Sequence, residues 1–187
     1  MPAPLLPKSE LLARLSDTFR RLGYDGASIT DIASATGLGK SSLYHYFPGG
    51  KEQMAADVLT DLAQALEANL FAPLSGAGRP DEKLKEMIET IDAFYDGGRK
   101  ACLLERLAAS AGRSNLQAPL RALFLRWMKA MESLCRDAGI PAATARIRAE
   151  DALVRIEGSL VLAAGMNDIK PFARALTAIR KSLLADD

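Results

Sequence analysis

Six side chains within seven residues could do recognisable chemistry: Lys40, Ser41, Ser42, Tyr44, His45 and Tyr46. They are cations, hydroxyls and aromatics, the types that contact phosphate oxygens and base edges. Leu43 and Phe47 sit four apart, so on a helix both face inward and leave the other six outward. Pro48 stops that helix. His45 is the only histidine. No Ser-His-Asp or Cys-His arrangement can be assigned to it, and one His cannot build a His-rich metal site. The chain therefore does not read as an enzyme, and neither a metal nor a cofactor is expected.

The residues before this cluster must position it. Thr30 has the side chain of a helix N-cap, with Asp31 in the first turn where the helix dipole favours an anion. Ile32 and Ala33 give the short helix an apolar side, and Gly37 ends it in the left-handed conformation. A second short helix, Lys40 to Phe47, follows at once. Upstream, Leu11, Leu12, Leu15, Phe19 and Leu22 recur at helical spacing over about Lys8 to Leu22, and Gly23 closes that helix. Together these make a three-helix unit with a helix-turn-helix at its end.

The run Ala27-Ser28-Ile29-Thr30-Asp31-Ile32-Ala33, then Gly37-Leu38-Gly39-Lys40 and Leu43-Tyr44-His45-Tyr46-Phe47, resembles the DNA-binding domain of the tetracycline-repressor (TetR) family. Phe19 and Gly23-Tyr24 fit the same signature. Phe47-Pro48-Gly49-Gly50-Lys51-Glu52 is similar to the branch that includes the lincomycin-resistance repressors, as is the run Ala149 to Ile156 with Gly158, less specifically. The resemblance implies that Lys40, Ser41 and Ser42 reach the major groove. It implies that Tyr44, His45, Tyr46 and Lys51 chiefly meet phosphates, and that Ser28 and Thr30 touch the backbone near a helix N-terminus. One departure is Gly39, where the family often has Ser. Gly still caps a helix, but a hydroxyl contact to phosphate is lost.

Composition bounds the rest. The chain has 187 residues, 49% of them hydrophobic, which suits a packed core and argues against disorder. Ala and Leu abound and β-branched runs are absent, so the expected class is all-α. Formal charge is only +1. The first fifty residues carry five basic groups (Lys8, Arg14, Arg20, Arg21, Lys40) and four acidic ones (Glu10, Asp17, Asp25, Asp31), again +1. Bulk charge thus gives no support to DNA binding; the motif carries that inference. Cys102 and Cys135 lack metal-ligand spacing and suit a reducing cytoplasm. The start, Met1 to Pro7, is too short and Pro-broken for a signal peptide. No apolar run reaches the ~18 residues of a membrane span, so a cytoplasmic location is expected.

The expected architecture is an N-terminal helix-turn-helix head, residues 1–50, followed by a helical-bundle body for ligand binding and dimerisation, residues 51–187. One helix spans Lys51 to about Leu70, and Pro73 to Pro80 reads as a turn-rich loop. Later stripes mark further helices: Leu84 to Tyr95, Leu120 to Leu134, Ala142 to Met166, and Lys170 to about Leu184. Phe94, Cys102, Phe124, Trp127, Met128 and Met131 are candidates to line a small-molecule pocket, and each also fits plain core packing. Cys102 follows the basic pair Arg99-Lys100, so a thiol sensor stays open beside a buried Cys acting as a small hydrophobe. Ile156, Leu160, Phe172, Leu176, Ile179 and Leu183 on the last two helices either cover the core or meet a second copy. The reading is a homodimeric DNA-binding regulator, a repressor released from an inverted-repeat operator by a small, largely apolar effector. The alternative is a helical ligand-binding or thiol redox-sensing protein that does not bind DNA.

Overall fold

The computed structural model describes residues 6–109 and 115–185, so most of the Met1 to Pro7 segment lies outside the described residues. These residues form ten α-helices and no strand. The order is α1 (Lys8–Gly26), α2 (Ile29–Thr36), α3 (Lys40–Tyr46), α4 (Gly50–Leu66), α5 (Ala72–Ser75), α6 (Pro80–Phe94), α7 (Leu103–Ala108), α8 (Gln117–Asp137), α9 (Ala142–Met166) and α10 (Lys170–Ser182). A π-helical turn, Glu67–Phe71, joins α4 to α5. The chain forms two compact units, Met1–Ala63 with Leu103–Leu120 and Gln64–Cys102 with Arg121–Asp187. The first unit therefore extends past residue 50 and takes in α4 as far as Ala63. Among the described residues no helix is long and apolar enough to cross a membrane.

In the first unit the apolar stripe of α1 is the organising feature. Leu11, Leu15 and Phe19 are fully buried, each contributing roughly 1.5–3 kcal/mol by leaving water. Ile32 of α2, Leu43 of α3, Phe47 and Met54 of α4 are buried as well. Gly23, at φ 72°, breaks the regular helix, and one more turn follows to Gly26. Helix α7, far along the chain, packs on α1 and buries Leu107.

The second unit corrects two expectations. The helix begun at α4 does not run regularly to Leu70: it widens into the π turn at Glu67. Nor does a loop begin at Pro73. Pro73 lies in the first turn of α5, where its missing N–H costs nothing, so helix persists to Ser75. The six apolar residues Ile156, Leu160, Phe172, Leu176, Ile179 and Leu183 are all buried within the protomer, at 0–5% exposure. The stripes of α9 and α10 face each other across their own hairpin, so these residues are core and leave no surface for a partner to cover.

Gly98 shows how tight that core is. Its φ is 92°, and a Cβ there would lie 2.9 Å from the Cβ of Phe172. Gly98→Ala therefore meets both backbone strain and a clash with a fully buried ring. We expect a loss of about 1–3 kcal/mol, read as an earlier urea midpoint, with Gly97→Ala as the comparison at a half-exposed site.

Candidate functional site

The outward cluster is built on a short scaffold. Ser28, not Thr30, caps α2. Its hydroxyl accepts from the Asp31 N–H at 3.1 Å, and the Asp31 carboxylate accepts from the Ser28 N–H at 3.0 Å. This reciprocal box satisfies two amides that the helix end would otherwise orphan. Thr30 is displaced from the cap because it already lies inside α2, with its side chain exposed. The Thr36 hydroxyl donates to the Ile32 carbonyl at 2.7 Å, and Arg14 donates to the Thr36 carbonyl at 3.0 Å. Gly37, at φ 70°, then turns the chain. Gly39 caps α3 without any side-chain bond.

On α3, Leu43 is buried while Lys40, Ser41, Ser42, Tyr44 and His45 are exposed. The half-buried Tyr46 donates its hydroxyl to the Leu6 carbonyl at 3.4 Å. Lys51 is engaged inside the unit. Its ammonium donates to the carbonyls of Tyr24 and Ala27, at 2.9 and 3.1 Å, and lies 4.6 Å from the Tyr24 ring centroid. It thus binds the start of α4 to the end of α1, where a cation suits the helix dipole. Burial, then the charges of Glu52 and Asp25, push the Tyr24 phenol above its usual range.

The hydrogen bonds from Ser28 hold the Asp31 carboxyl below its usual range. A depressed carboxyl stabilises the fold above its unfolded pKa and loses that contribution as pH falls through the folded value. Ser28→Ala should cost about 1 kcal/mol of cap energy at neutral pH. In acid the gap should narrow without closing, because a protonated Asp31 accepts more weakly from Ser28 while the bond from the Asp31 N–H to the Ser28 hydroxyl persists. Thermal melts at pH 7 and in the acid limb of the carboxylate range check this.

The second unit contains an apolar cleft of about 480 Å³. Its floor is Leu66, Leu70, Ile91, Tyr95 and Trp127, all buried, and its rim includes Ala65, Asn69, Thr90, Ala93 and Phe94. Phe94 and Trp127, both expected at a pocket, meet here. The other four candidates lie elsewhere. Met131 is fully buried, and half-buried Phe124 is not in the lining. Met128 borders a separate, charge-rimmed groove with Leu125, Lys129 and Glu132. Cys102 is buried, accepts from the Tyr95 hydroxyl at 3.4 Å and donates to Glu157 at 3.3 Å. That position withholds its thiol from the surface, while Arg99 and Lys100 are exposed. Burial pushes the Cys135 thiol up to about 11. Neither cysteine forms a disulfide. The described residues hold no cluster of three or more His, Cys, Asp or Glu able to bind a metal ion.

The periodic signal missed Asn69, Thr90 and Ala93. Only the polar interruptions at Asn69 and Thr90, next to otherwise apolar stripes, hinted at them.

The sequence profile described as bacterial regulatory proteins, tetR family, matches residues 11–58. That range contains α2, α3 and the exposed cluster. The HTH-type transcriptional regulator LmrA of Bacillus subtilis is 22% identical over 176 residues, covering 92% of this chain and 94% of that protein. An uncharacterized HTH-type transcriptional regulator in the lacX 3' region of Lactococcus lactis is 30% identical over 168 residues, covering 83% of this chain and 82% of that protein. Among solved structures, a TetR transcriptional regulator from Legionella pneumophila has a TM-score of 0.83 at 20% identity, over 95% of this chain and 97% of that one. At that identity the likeness speaks for the fold.

Proposed function

Because this chain belongs to the tetR family of bacterial regulatory proteins, we propose that it is a homodimeric repressor released from an inverted-repeat operator by a small, largely apolar effector. The observation that carries the DNA-binding half is the exposed set Lys40, Ser41, Ser42, Tyr44 and His45 above the buried Leu43. Lys40, Ser41 and Ser42, at the start of α3, read base edges. Tyr44, His45 and Tyr46 meet phosphates, and Thr30 adds a free hydroxyl at the start of α2. Lys51 and Ser28 serve first as internal ties, so their contribution to binding runs through the posture of α2 and α4.

The dimer rests on a different face of α9 from the one that fills the core. Ile147, Val154 and Val161, spaced by seven, are 59%, 64% and 53% exposed. Gly158 and Gly165 lie on the same side, and a Cβ on either would meet nothing within 4 Å. Glycine inside a helix sacrifices about 0.5–1 kcal/mol relative to Ala. Nothing within the protomer requires it here, so the close approach of a second helix is its reason. An exposed apolar row of this length is also what a partner would cover.

The effector half rests on the apolar cleft, whose volume falls in the range of small-molecule sites. Effector and operator must oppose each other reciprocally: whatever factor the effector takes from operator affinity, the operator takes from effector affinity. Selection of bound sequences from random duplex DNA tests the reading, since it needs no candidate operator.

A further inference from the structure

Helix α3 presents Lys40, Ser41 and Ser42, yet little of its posture comes from within. It has seven residues, too few for backbone bonds alone to hold a helix. Gly39 caps it without a side-chain bond, and its first turn holds no acid. Leu43 and Phe47 are fully buried and secure its middle and far end. Its entry is secured by the turn Thr36-Gly37-Leu38, which sets the angle between α2 and α3.

That turn is held from two sides. Thr36 is fully buried, and its hydroxyl donates to the Ile32 carbonyl at 2.7 Å and accepts from the Leu38 N–H at 3.4 Å. From α1, one arm of the Arg14 guanidinium donates to the Thr36 carbonyl at 3.0 Å, while the other donates to Glu10 at 2.5 Å. The first arm also lies 3.8 Å from where a Cβ on Gly37 would sit, so the guanidinium rests against the turn itself. Arg14 is rooted beside Leu11 and Leu15, both fully buried, which fixes where its side chain starts. Its cation stands at the end of α2 where the helix dipole favours positive charge. The planar fork serves two acceptors in fixed directions at once.

From these contacts we infer that Arg14 is a positioning residue for base reading: from α1, it fixes the angle at which α3 leaves α2. The inference rests on the reading that α3 selects sequence. Hydrogen bonds to base edges weaken steeply as their angles close, whereas phosphate contacts carry no base information. Loosening the turn should therefore cost selectivity while leaving general attraction to DNA in place. The Glu10 pair is exposed and contributes little by itself; the bond to Thr36 does the positioning.

The test compares the full-length protein with Arg14→Met, Arg14→Lys and Glu10→Gln, in two arms. The first needs no DNA. In Arg14→Met, the Leu43 and Phe47 amides, which donate to the Gly39 and Leu43 carbonyls, should exchange hydrogen at least about tenfold faster, the loss of one charge-assisted bond. Leu15 and Phe19 of α1 should change by less than about twofold. The second arm uses duplexes that the unmodified protein enriches from a random pool, and shuffled duplexes of the same composition. Arg14→Met should bind the enriched duplex about tenfold more weakly and the shuffled one within about twofold, at an unchanged salt slope. Arg14→Lys keeps a donor able to reach Thr36 and should recover most of the selectivity. Glu10→Gln should retain it.

Equal acceleration of exchange in α1 and α3 would make Arg14 a general stabiliser and overturn the inference. So would unchanged exchange in α3, or unchanged selectivity. A loss shared by the shuffled duplex, with the salt slope lower by about 0.9, would make Arg14 a phosphate contact and overturn it as well. If the unmodified protein enriches no sequence, the regulatory reading fails, and the exchange arm still decides whether Arg14 holds α3.

Discussion

Gly158→Arg should convert the protein to a monomer without lowering its thermal stability. Gly158 is exposed in the middle of α9, and an added Cβ meets nothing within 4 Å. Arg is also the better helix former, so the protomer should hold steady or gain a little. In a dimer built on the Ile147, Val154 and Val161 face, the same guanidinium would be forced between two helices at their closest approach. Operator affinity should then fall by about 10²–10⁴, because one head binds without the effective concentration its partner supplies. Light scattering and calorimetry on the same sample separate the two effects. A variant that stays dimeric would place the interface elsewhere. One that unfolds would show that Gly158 serves the protomer.

Tyr44→Ala and Lys40→Ala should both weaken DNA binding, in different ways. Tyr44 is 48% exposed, and its ring lies over the start of α4, 3.5 Å from where a Gly50 Cβ would sit. A phosphate contact from Tyr44 carries no base information, so its loss should lower affinity for every sequence, by about tenfold for a contact of this kind. Lys40 stands at the first position of α3 with its ammonium exposed. Its loss should relax preference at one base pair per half-site, worth about 1–3 kcal/mol of discrimination. If Lys40 meets a phosphate instead, the salt slope should drop by about 0.9 with preference intact. Titrations at several salt concentrations, on matched and mismatched duplexes, distinguish these outcomes.

The head was legible because its signals are local. Leu43 and Phe47 at a spacing of four, with Gly37 and Pro48 as punctuation, leave one arrangement open, and the helices formed there. The cap was misassigned by two residues. Ser28 and Thr30 both carry a hydroxyl ahead of Asp31, but only Ser28 stands three residues before it, the spacing a reciprocal box requires.

The body was legible as helices and far less so as surfaces. A stripe such as Leu176 and Ile179 reports that a face is buried and is silent about what buries it. Here α9 and α10 cover each other, and the outer face is marked instead by Ile147, Val154 and Val161 at intervals of seven. The pocket candidates scattered for the same reason. Each residue along α8 turns about 100° from the last, so Trp127 enters the cleft while Met128 faces a different groove. The π turn could not be read at all, because a change of backbone hydrogen-bond register leaves no trace in side-chain periodicity.

The central claim is that α3 reads DNA sequence within a two-fold assembly. The most direct measurement is repeated selection from a random duplex pool with the full-length protein at low salt, followed by sequencing and footprinting of the enriched duplexes. The account predicts an inverted repeat, with half-sites about one helical turn or a small multiple apart, protected on both halves and lost when salt is raised. A final pool indistinguishable from the starting one, bound only through non-specific charge, would contradict it.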